Sequence, residues 1–387
     1  MIRRILVIGS IGLALAGGAR FAWKELTDRA WEKRKGELLA LAIFQPELKR
    51  PWEVRFASIQ ERLLSSPSFR EVSDSGHKPY AALGSGEPRA LDDLERVWIA
   101  AIWHELGALE GVLAELRKLP LAALEWNGPT ASLQVQREIT NALCGRAWLA
   151  LEGGDDAAAA GSYADALRLA RAADDGTTMG GMTRCACERT VLASLRSALS
   201  SGFSPGTART ALVPLLEDLA YSPDRAQYAI RRDLSYVGDL TEREEEPWPT
   251  AYALQWHAGV EEALGLVRGP AEELIRLQDA EREEKSADGS PQCWIGLALQ
   301  LHELHAVRNV ALTALAVAAF REEHGAFPAS LSELAEMPPE HARDPLAGTP
   351  LPYSLTAAGA RVGPAAWAER VDVPEHVDES LYVWTLR

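Results

Sequence analysis

The helical character of the chain is clearest in residues 135–173, which read VQREITNALCGRAWLALEGGDDAAAAGSYADALRLARAA. Small and apolar residues recur there at intervals of three and four positions, the spacing that places side chains on one face of an α-helix. The Gly153-Gly154-Asp155 segment in the middle has the turn residues that end one helix and begin another. This pattern predicts two antiparallel helices joined by a short turn. The positions expected on their contact faces are Ala142, Ala147, Leu149, Ala150, Ala158, Tyr163, Ala166, Leu167 and Ala170.

The segment resembles a single helical hairpin of the tetratricopeptide type. Its small residues would let the two helices approach closely, while Tyr163 and Leu167 fill the seam between them. The resemblance covers about a tenth of the chain, and no second copy follows at a fixed period. It favours a repeat-like interaction surface, with Tyr163 and Trp248, which lies between two prolines, as candidate contact residues. Packing in the core is the favoured alternative for Trp248.

The remaining pattern predicts a mostly α fold with a helical-hairpin array. A stalk helix and connection are expected over 24–66, where Pro46 and Pro51 interrupt the helix, followed by a loop over 67–90 and a helical domain over 91–319. Within that domain, Val310–Phe320 is apolar almost all round but too short to span a bilayer, which predicts a central buried helix. Helices are expected from Leu91 to about Pro120 and at 182–201, 206–221, 224–240, 252–267, 270–285 and 292–323.

The composition is that of a folded protein. Hydrophobic residues make up 47% and charged residues 25% of the 387 residues, which argues against wholesale disorder and against several membrane spans. The formal net charge of -15 leaves no basic stripe to neutralise phosphates, so nucleic acid is not an expected partner. The four cysteines lack the C-x-x-C spacing of structural zinc sites. Cys185 and Cys187 are expected to pack in the core or to form a disulfide.

The N-terminus has the layout of a segment that carries a chain to a membrane. Arg3 and Arg4 precede an uncharged run from Ile5 to Ala19. Extended to Trp23, the run is long enough to span a bilayer, whereas small residues within it would suit a cleavage site. Residues 1–23 are therefore predicted to be a signal anchor or a signal peptide, and the uncleaved anchor is the favoured interpretation.

Two arguments about orientation in the membrane disagree. The basic residues between positions 20 and 35 outnumber the two arginines before the run, which would keep the large domain in the cytoplasm. Long domains, however, cross largely regardless of charge, and a short tail with two arginines is the usual export layout. We expect a single-pass inner-membrane protein whose bulk is periplasmic or otherwise outward-facing.

The C-terminal part, 320–387, is predicted to be a small α+β module. Residues 320–334 read FREEHGAFPASLSEL and residues 344–353 read DPLAGTPLPY. Gly325 can end the preceding helix, Phe327 can pack back on that helix, and Ser330 is placed to cap a short one. Candidate strands of a short antiparallel sheet lie at 351–355, 360–362 and 381–386.

These two segments resemble the C-terminal half of type II secretion pseudopilins, and also poorly characterised membrane-anchored bacterial proteins with the same helix, turn and aspartate-proline loop. The resemblance covers about 70 residues. It implies an accessory role in a secretion or pilus-like assembly and, at Asp344, a turn comparable to one that can hold calcium. The chain departs from pseudopilins at its other end, where no prepilin-type cleavage site followed by a glutamate is present. A filament-subunit role is therefore not expected.

His302 and His305 are the sharpest candidates for chemistry. Their spacing of three puts both imidazoles on one face of a helix, where Glu303 or Glu105 could complete a metal site. The sequence contains no H-E-x-x-H, nucleophile elbow, phosphate-binding loop or dinucleotide fingerprint, and no cofactor is expected. In the alternative interpretation, His302, His305 and Asn309 form a polar strip where this helix meets its neighbours.

The leading functional hypothesis is a membrane-anchored envelope protein that acts as a helical protein-interaction scaffold, by binding and not by catalysis. It rests on the N-terminal segment, on the helical hairpin and on the lack of a convincing catalytic motif. A metal-dependent hydrolase using His302 and His305 is the first alternative, and an accessory component of a secretion or pilus-like assembly is the second. The expected partners are a membrane, reached through the N-terminal helix, and a protein.

Overall fold

Helices make up most of the described part of the chain, and a short antiparallel sheet follows them. The computed structural model describes residues 51–65, 109–120, 133–218, 222–241, 263–277, 292–357, 359–363 and 382–386, apart from 173, 175, 272 and 346, and isolated positions at 29, 93, 96, 97, 99, 100, 103, 107 and 260. The predicted mostly α fold class with a small sheet is confirmed. The predicted membrane segment 1–23 and the predicted loop 67–90 lie outside the described residues.

The helices are labelled in chain order. They are α1 (Pro51–Ser65), α2 (Leu109–Leu116), α3 (Leu133–Glu152), α4 (Asp156–Ala172), α5 (Thr178–Ser200), α6 (Pro205–Glu217), α7 (Pro223–Thr241) and α8 (Gln292–His324). A 3₁₀-helix (Leu331–Glu333) and the strands β1 (Tyr353–Thr356), β2 (Gly359–Val362) and β3 (Trp384–Leu386) follow.

Helix α1 corrects the sequence-based expectation for its segment. Pro51 was expected to interrupt a helix, but it begins one, because the first helical turn does not need the N–H that proline lacks. Phe56, Ile59 and Leu63 are buried at intervals of three and four, and they pack α1 against α2 and α3. This spacing was visible in the sequence and predicts the helix once Pro51 is taken as its start.

The single long helix expected from Leu91 to Pro120 is wrong. Described residues between 93 and 103 are helical, but the chain turns at Gly107 before α2 begins at Leu109. Glycine weakens a helix interior because its backbone loses more freedom there than any other residue. The apolar stripe of α2 is intact, since Leu109, Val112, Leu113 and Leu116 are fully buried.

The predicted helical hairpin is confirmed as α3 and α4. Gly154 adopts a left-handed backbone with φ of 72°, which lets the chain reverse within the short turn. The Asp155 side chain caps α4, because its Oδ1 accepts a hydrogen bond from the Ala158 backbone N–H at 2.9 Å. Small residues let the helices lie close together, as expected, and Ala142, Ala147 and Ala166 are fully buried.

The hairpin helices pack against the helices that follow them. Helix α3 packs against α5 and α5 against α8, while α4 packs against α6. Helix α4 also contacts α3 and α5, and α6 contacts α8. Each helix therefore has its apolar face covered by more than one neighbour, which a lone hairpin cannot achieve.

Helix α8 lies at the centre of the core, as predicted. It is 33 residues long, and Val307, Val310, Ala314 and Val317 are fully buried. It is also the helix, among the described residues, that is long and apolar enough to cross a membrane. Its most apolar window is 78% buried against the rest of the protein, as in the core helix of a globular domain.

The predicted C-terminal sheet is confirmed. Its order is β1-β2-β3, with both pairs antiparallel. Strand β3 packs on α5 and α8, and β2 packs on α8. Val362, Trp384 and Leu386 are buried in the same core as α8, so the sheet and the helices share one hydrophobic interior.

The turn between α8 and the sheet follows the sequence-based expectation in part. The Gly325 backbone N–H donates to the Arg321 carbonyl at 2.8 Å and ends α8, and the Phe327 ring lies 4.8 Å from the Arg321 guanidinium. Ser330 precedes the short helix but does not cap it, since its hydroxyl bonds to that of Ser332 at 2.6 Å. The Glu333 carboxylate instead accepts a hydrogen bond from the Ala329 backbone.

Candidate functional site

The two histidines of the hypothetical metal site both lie on α8 and are partly buried. Glu303 does not join them, because its carboxylate accepts a hydrogen bond from the Tyr382 hydroxyl and forms an ion pair with Arg189. Glu105 lies outside the described residues. The described residues contain no cluster of three or more His, Cys, Asp or Glu side chains that could hold a metal ion. A metal site at His302 and His305 would therefore need a ligand from the remaining segments.

The surroundings of His305 favour the neutral imidazole. Burial, together with the nearby Arg308, His302 and His341, lowers the pKa of His305 to about 4, and burial is the largest cause. The pKa of His341 is also lowered, mainly by burial. A neutral imidazole can ligate a metal, but the positive charge of the nearby Arg308 would oppose one.

The polar strip proposed as the alternative is confirmed at Asn309. Its amide nitrogen donates to the Glu340 and Arg343 carbonyl oxygens at 3.2 and 2.8 Å. The Arg308 guanidinium donates to the Leu216 carbonyl at 3.0 Å and to the Asn309 side-chain oxygen at 2.8 Å. Asn309 of the strip therefore fastens the segment before the sheet onto α8, and the neighbouring Arg308 fastens α6, which is a structural role.

Tyr163 does not lie on an interaction surface. It is fully buried in the hairpin, where its hydroxyl contacts the Ser194 hydroxyl at 3.0 Å. The Trp148 indole N–H donates to the same Ser194 oxygen, also at 3.0 Å. The expectation of a partner contact at Tyr163 is therefore wrong, while the expectation that it fills the hairpin seam is right. Trp248 lies outside the described residues.

The cysteines of the described core are free thiols. Cys144, Cys185 and Cys187 are fully buried, so core packing is the role that the structure gives to Cys185 and Cys187. Burial raises the pKa of Cys144 to about 12 and that of Cys187 to about 11. Thiols in such surroundings are poor nucleophiles, because the reactive thiolate is scarcely populated.

Asp344 shapes the turn in which it lies. Its backbone N–H donates to the Thr349 carbonyl at 2.8 Å, and its carbonyl accepts from the Gly348 N–H at 2.9 Å. The side chain is buried and accepts a longer bond from the Ala347 N–H. These bonds give Asp344 a structural reason for its place in the loop that is independent of calcium.

A buried ion network was missed from the sequence. Arg184 and Glu188, one turn apart on α5, form a fully buried ion pair. Arg184 also lies 3.5 Å from the Asp174 carboxylate, which accepts a hydrogen bond from Arg225 at 2.7 Å. Burial raises the pKa of both Asp174 and Glu188, and the arginines oppose that shift. The network ties the loop before α5 to α7, and only the Arg184–Glu188 spacing hinted at it in the sequence.

A second cluster of charged side chains lies at the surface where α2, α3 and α4 meet. We call Arg117, Arg146 and Arg168 the arginine cluster. Arg117 donates to both carboxylate oxygens of Asp165, from Nε at 2.8 Å and from Nη2 at 2.5 Å. Arg146 Nη2 donates to Asp165 Oδ2 at 2.8 Å. A carboxylate that is only 2% exposed therefore holds two guanidinium groups in fixed positions.

The third member of the arginine cluster lies beside the other two. Arg168 is one turn after Asp165 on α4 and is partly buried. Burial lowers its pKa, nearby Asp165 raises it, and repulsion from Arg117 lowers it. The sequence could not reveal the cluster, because its arginines come from separate helices.

Comparison with known proteins returned no match. No protein-family model matches the chain, and neither a curated protein nor a solved structure matches it. The tetratricopeptide-like and pseudopilin-like resemblances therefore remain predictions from the sequence.

Proposed function

We propose that the protein is a membrane-anchored envelope protein that works as a helical protein-interaction scaffold. The observation that carries this proposal is the packing of the helices on one another, α3 on α4 and α5, α4 on α6, and α5 on α8. Helices packed in this way turn their apolar faces inward and leave their other faces as an outer surface. Such surfaces commonly bind other proteins, so the architecture favours binding over catalysis.

The interior supports a rigid scaffold. The Ser194 hydroxyl links Trp148 of α3 and Tyr163 of α4 to α5, and Arg308 links α8 to the end of α6. Because these bonds are buried, they are strong and leave the outer residues free to determine the partner. Rigidity of this kind lowers the entropic cost of binding.

The membrane part of the proposal rests on the N-terminal sequence, and one substitution tests it. Leu13→Arg places a charge in the uncharged run, which should release the protein into the soluble fraction of lysed cells. Leu13→Ile keeps the run apolar and should leave the protein in the membrane pellet. In intact spheroplasts, a tag at the C-terminus should be digested by added protease. Protection of that tag would place the body in the cytoplasm and overturn the outward orientation.

The binding part is tested by affinity capture from membranes. The tagged full chain is cross-linked in cells, solubilised in detergent and recovered with its neighbours. A partner that is recovered reproducibly, and in proportion to the bait, supports the scaffold. Failure to recover any such partner from replicate preparations would count against it.

An accessory role in a secretion or pilus-like assembly is the second candidate. It is supported by a long helix followed by a three-stranded antiparallel sheet, the order that the sequence resemblance implies. This support is an analogy of fold, and the same arrangement serves many functions. Cross-linking to filament subunits of such an assembly would favour this candidate, and their consistent absence among captured proteins would exclude it.

A further inference from the structure

Glu110 bridges the arginine cluster from the solvent side. Its Oε1 pairs with Arg146 Nη1, and its Oε2 lies 3.6 Å from Arg117 Nη2. The Glu110 side chain is 50% exposed, whereas Asp165 beneath the same guanidinium groups is 2% exposed. One carboxylate is thus built into the protein, and the other approaches from the surface.

The two carboxylates are held very differently. Asp165 accepts three hydrogen bonds from two arginines, so its loss would leave buried charge without compensation. Glu110 is exposed, and exposed ion pairs contribute little because water and salt screen them. Another carboxylate could therefore replace Glu110 at small cost, while Asp165 keeps the site in shape.

The charges around the site favour an incoming anion. Three guanidinium groups face two carboxylates, which leaves one positive charge in excess on a protein of formal net charge -15. Arg168 Nε has no hydrogen-bond acceptor among the described residues. Lys118, next to Arg117, is also exposed and adds to the positive potential.

The guanidinium of Arg146 is oriented before any ligand arrives. It stacks 4.5 Å from the Trp103 ring centroid, and its Nε donates to the Ser162 hydroxyl at 2.9 Å. Stacking and hydrogen bonding fix the plane of the guanidinium, which is the feature that makes arginine suited to planar carboxylates. Both anions that already lie at the cluster are carboxylates.

We propose that the arginine cluster is a carboxylate-binding site, filled by Glu110 in the free protein and by a carboxylate of an acidic partner segment in the complex. The inference rests on the proposed scaffold function, because it names the chemistry of the partner. Glu110 acts as an internal competitor that any partner must displace. An acidic peptide is the ligand, since a carboxylate side chain can reproduce both contacts that Glu110 makes.

The experiment measures binding of a fluorescein-labelled hexaglutamate peptide to the full chain in detergent by fluorescence anisotropy. Glu110→Gln removes the competitor and should tighten binding about two- to fivefold, the factor expected for one exposed ion pair. Arg168→Gln should weaken binding at least as much, and hexaglutamine should not bind. Matched controls are Arg209→Gln and Glu336→Gln, an exposed pair elsewhere whose charged atoms are 3.9 Å apart. Neither control should change the affinity.

Several outcomes would overturn the proposal. If neither Glu110→Gln nor Arg168→Gln changes the affinity for hexaglutamate, the arginine cluster is excluded as the binding site. Competition by inorganic phosphate but not by acetate would assign the cluster to phosphate, and binding to anionic lipid vesicles without peptide binding would assign it to a membrane surface. If Arg168→Gln fails to fold, as judged by circular dichroism, Glu110→Gln alone decides, because its side chain is exposed.

The scaffold and the carboxylate site can fail separately. If the Arg168→Gln variant captures a membrane partner as well as the wild type does, the carboxylate site is refuted and the scaffold function still stands. If both variants change the affinity for hexaglutamate but affinity capture recovers no partner, the carboxylate site is supported and the scaffold function is refuted.

Discussion

His305 makes the stability of the fold sensitive to pH. The pKa of His305 in the folded protein is about 4, against an ordinary value of 6.5. Between these pH values the imidazole is mostly protonated in the unfolded chain and mostly neutral in the folded protein. The stability that depends on the neutral imidazole is complete above pH 6.5 and is lost as the pH falls towards 4. Between pH 7 and pH 5, the free energy of unfolding of His305→Asn should therefore fall by about 1–2 kcal/mol less than that of the wild type.

Denaturant unfolding at the two pH values checks this prediction. Asp174 and Glu188 have raised pKa values and shift stability in the opposite sense, but they are common to both proteins and cancel in the comparison. His324→Asn is the matched control, because His324 is exposed on the same helix. A His305→Asn variant with the wild-type pH dependence would contradict the argument.

Ser194 is the residue on which the hairpin seam depends. Ser194→Ala would leave the buried Trp148 indole N–H without its acceptor and would weaken the bonding of the Tyr163 hydroxyl. We expect a loss of about 1–3 kcal/mol in the free energy of unfolding. Ser197→Ala is the control, because the buried Ser197 hydroxyl bonds only to a carbonyl of its own helix, and its loss should be smaller. Chemical denaturation of the two variants compares them directly.

Helix α6 depends on a carboxylate from another helix. Glu322 of α8 accepts hydrogen bonds from the Ser204 hydroxyl at 2.7 Å and from the Gly206 backbone N–H at 3.1 Å. Glu322→Ala should therefore cost about 1 kcal/mol, as for loss of an N-terminal cap. Glu323→Ala, at an exposed neighbouring position, should change the melting temperature little. Equal melting temperatures for the two variants would show that the cap contributes nothing.

Gly176, in the loop that leads into α5, has no space around it for a side chain. Its φ is 77°, and a Cβ there would lie 2.6 Å from Tyr228 Cε1 on α7. Gly176→Ala combines backbone strain with this clash and should destabilise the protein by about 2–4 kcal/mol. Gly154→Ala has a similar φ but open space around the new methyl group, so it isolates the strain. If thermal melts gave the same melting temperature for both variants, α7 would move aside to make room for the new methyl group without loss of stability.

The elements differ in how well the sequence predicted them. The hairpin, α8 and the three strands were predictable because their apolar spacing and turn residues are local signals. Helix α1 was missed because Pro51 was taken as a break, and the turn at Gly107 was missed because the apolar stripe continues through it. The arginine cluster could not be predicted and the Arg184 network was hinted at only by the Arg184–Glu188 spacing, since their other partners come from different parts of the chain and meet only after packing.

The sheet is part of the helical core. Trp384 is fully buried where β3 meets α5 and α8. Trp384→Ala should lower the free energy of unfolding by about 3–5 kcal/mol, because it leaves a large cavity in that shared interior. Leu355→Ala on β1 is the control, since Leu355 is 52% exposed, and its effect should stay within about 0.5 kcal/mol. A single cooperative transition in the wild type, followed by tryptophan fluorescence and circular dichroism, would confirm that helices and sheet unfold together.

The shared core also sets the order of events during synthesis. Strand β3 lies far along the chain from α5, yet Trp384 and Tyr382 complete the surface that α5 and α8 present. The ribosome must therefore release residues 382–386 before this interior can close. Until then the apolar surface that β3 covers on α5 and α8 stays exposed to solvent, and transiently exposed surface of this kind is prone to aggregation.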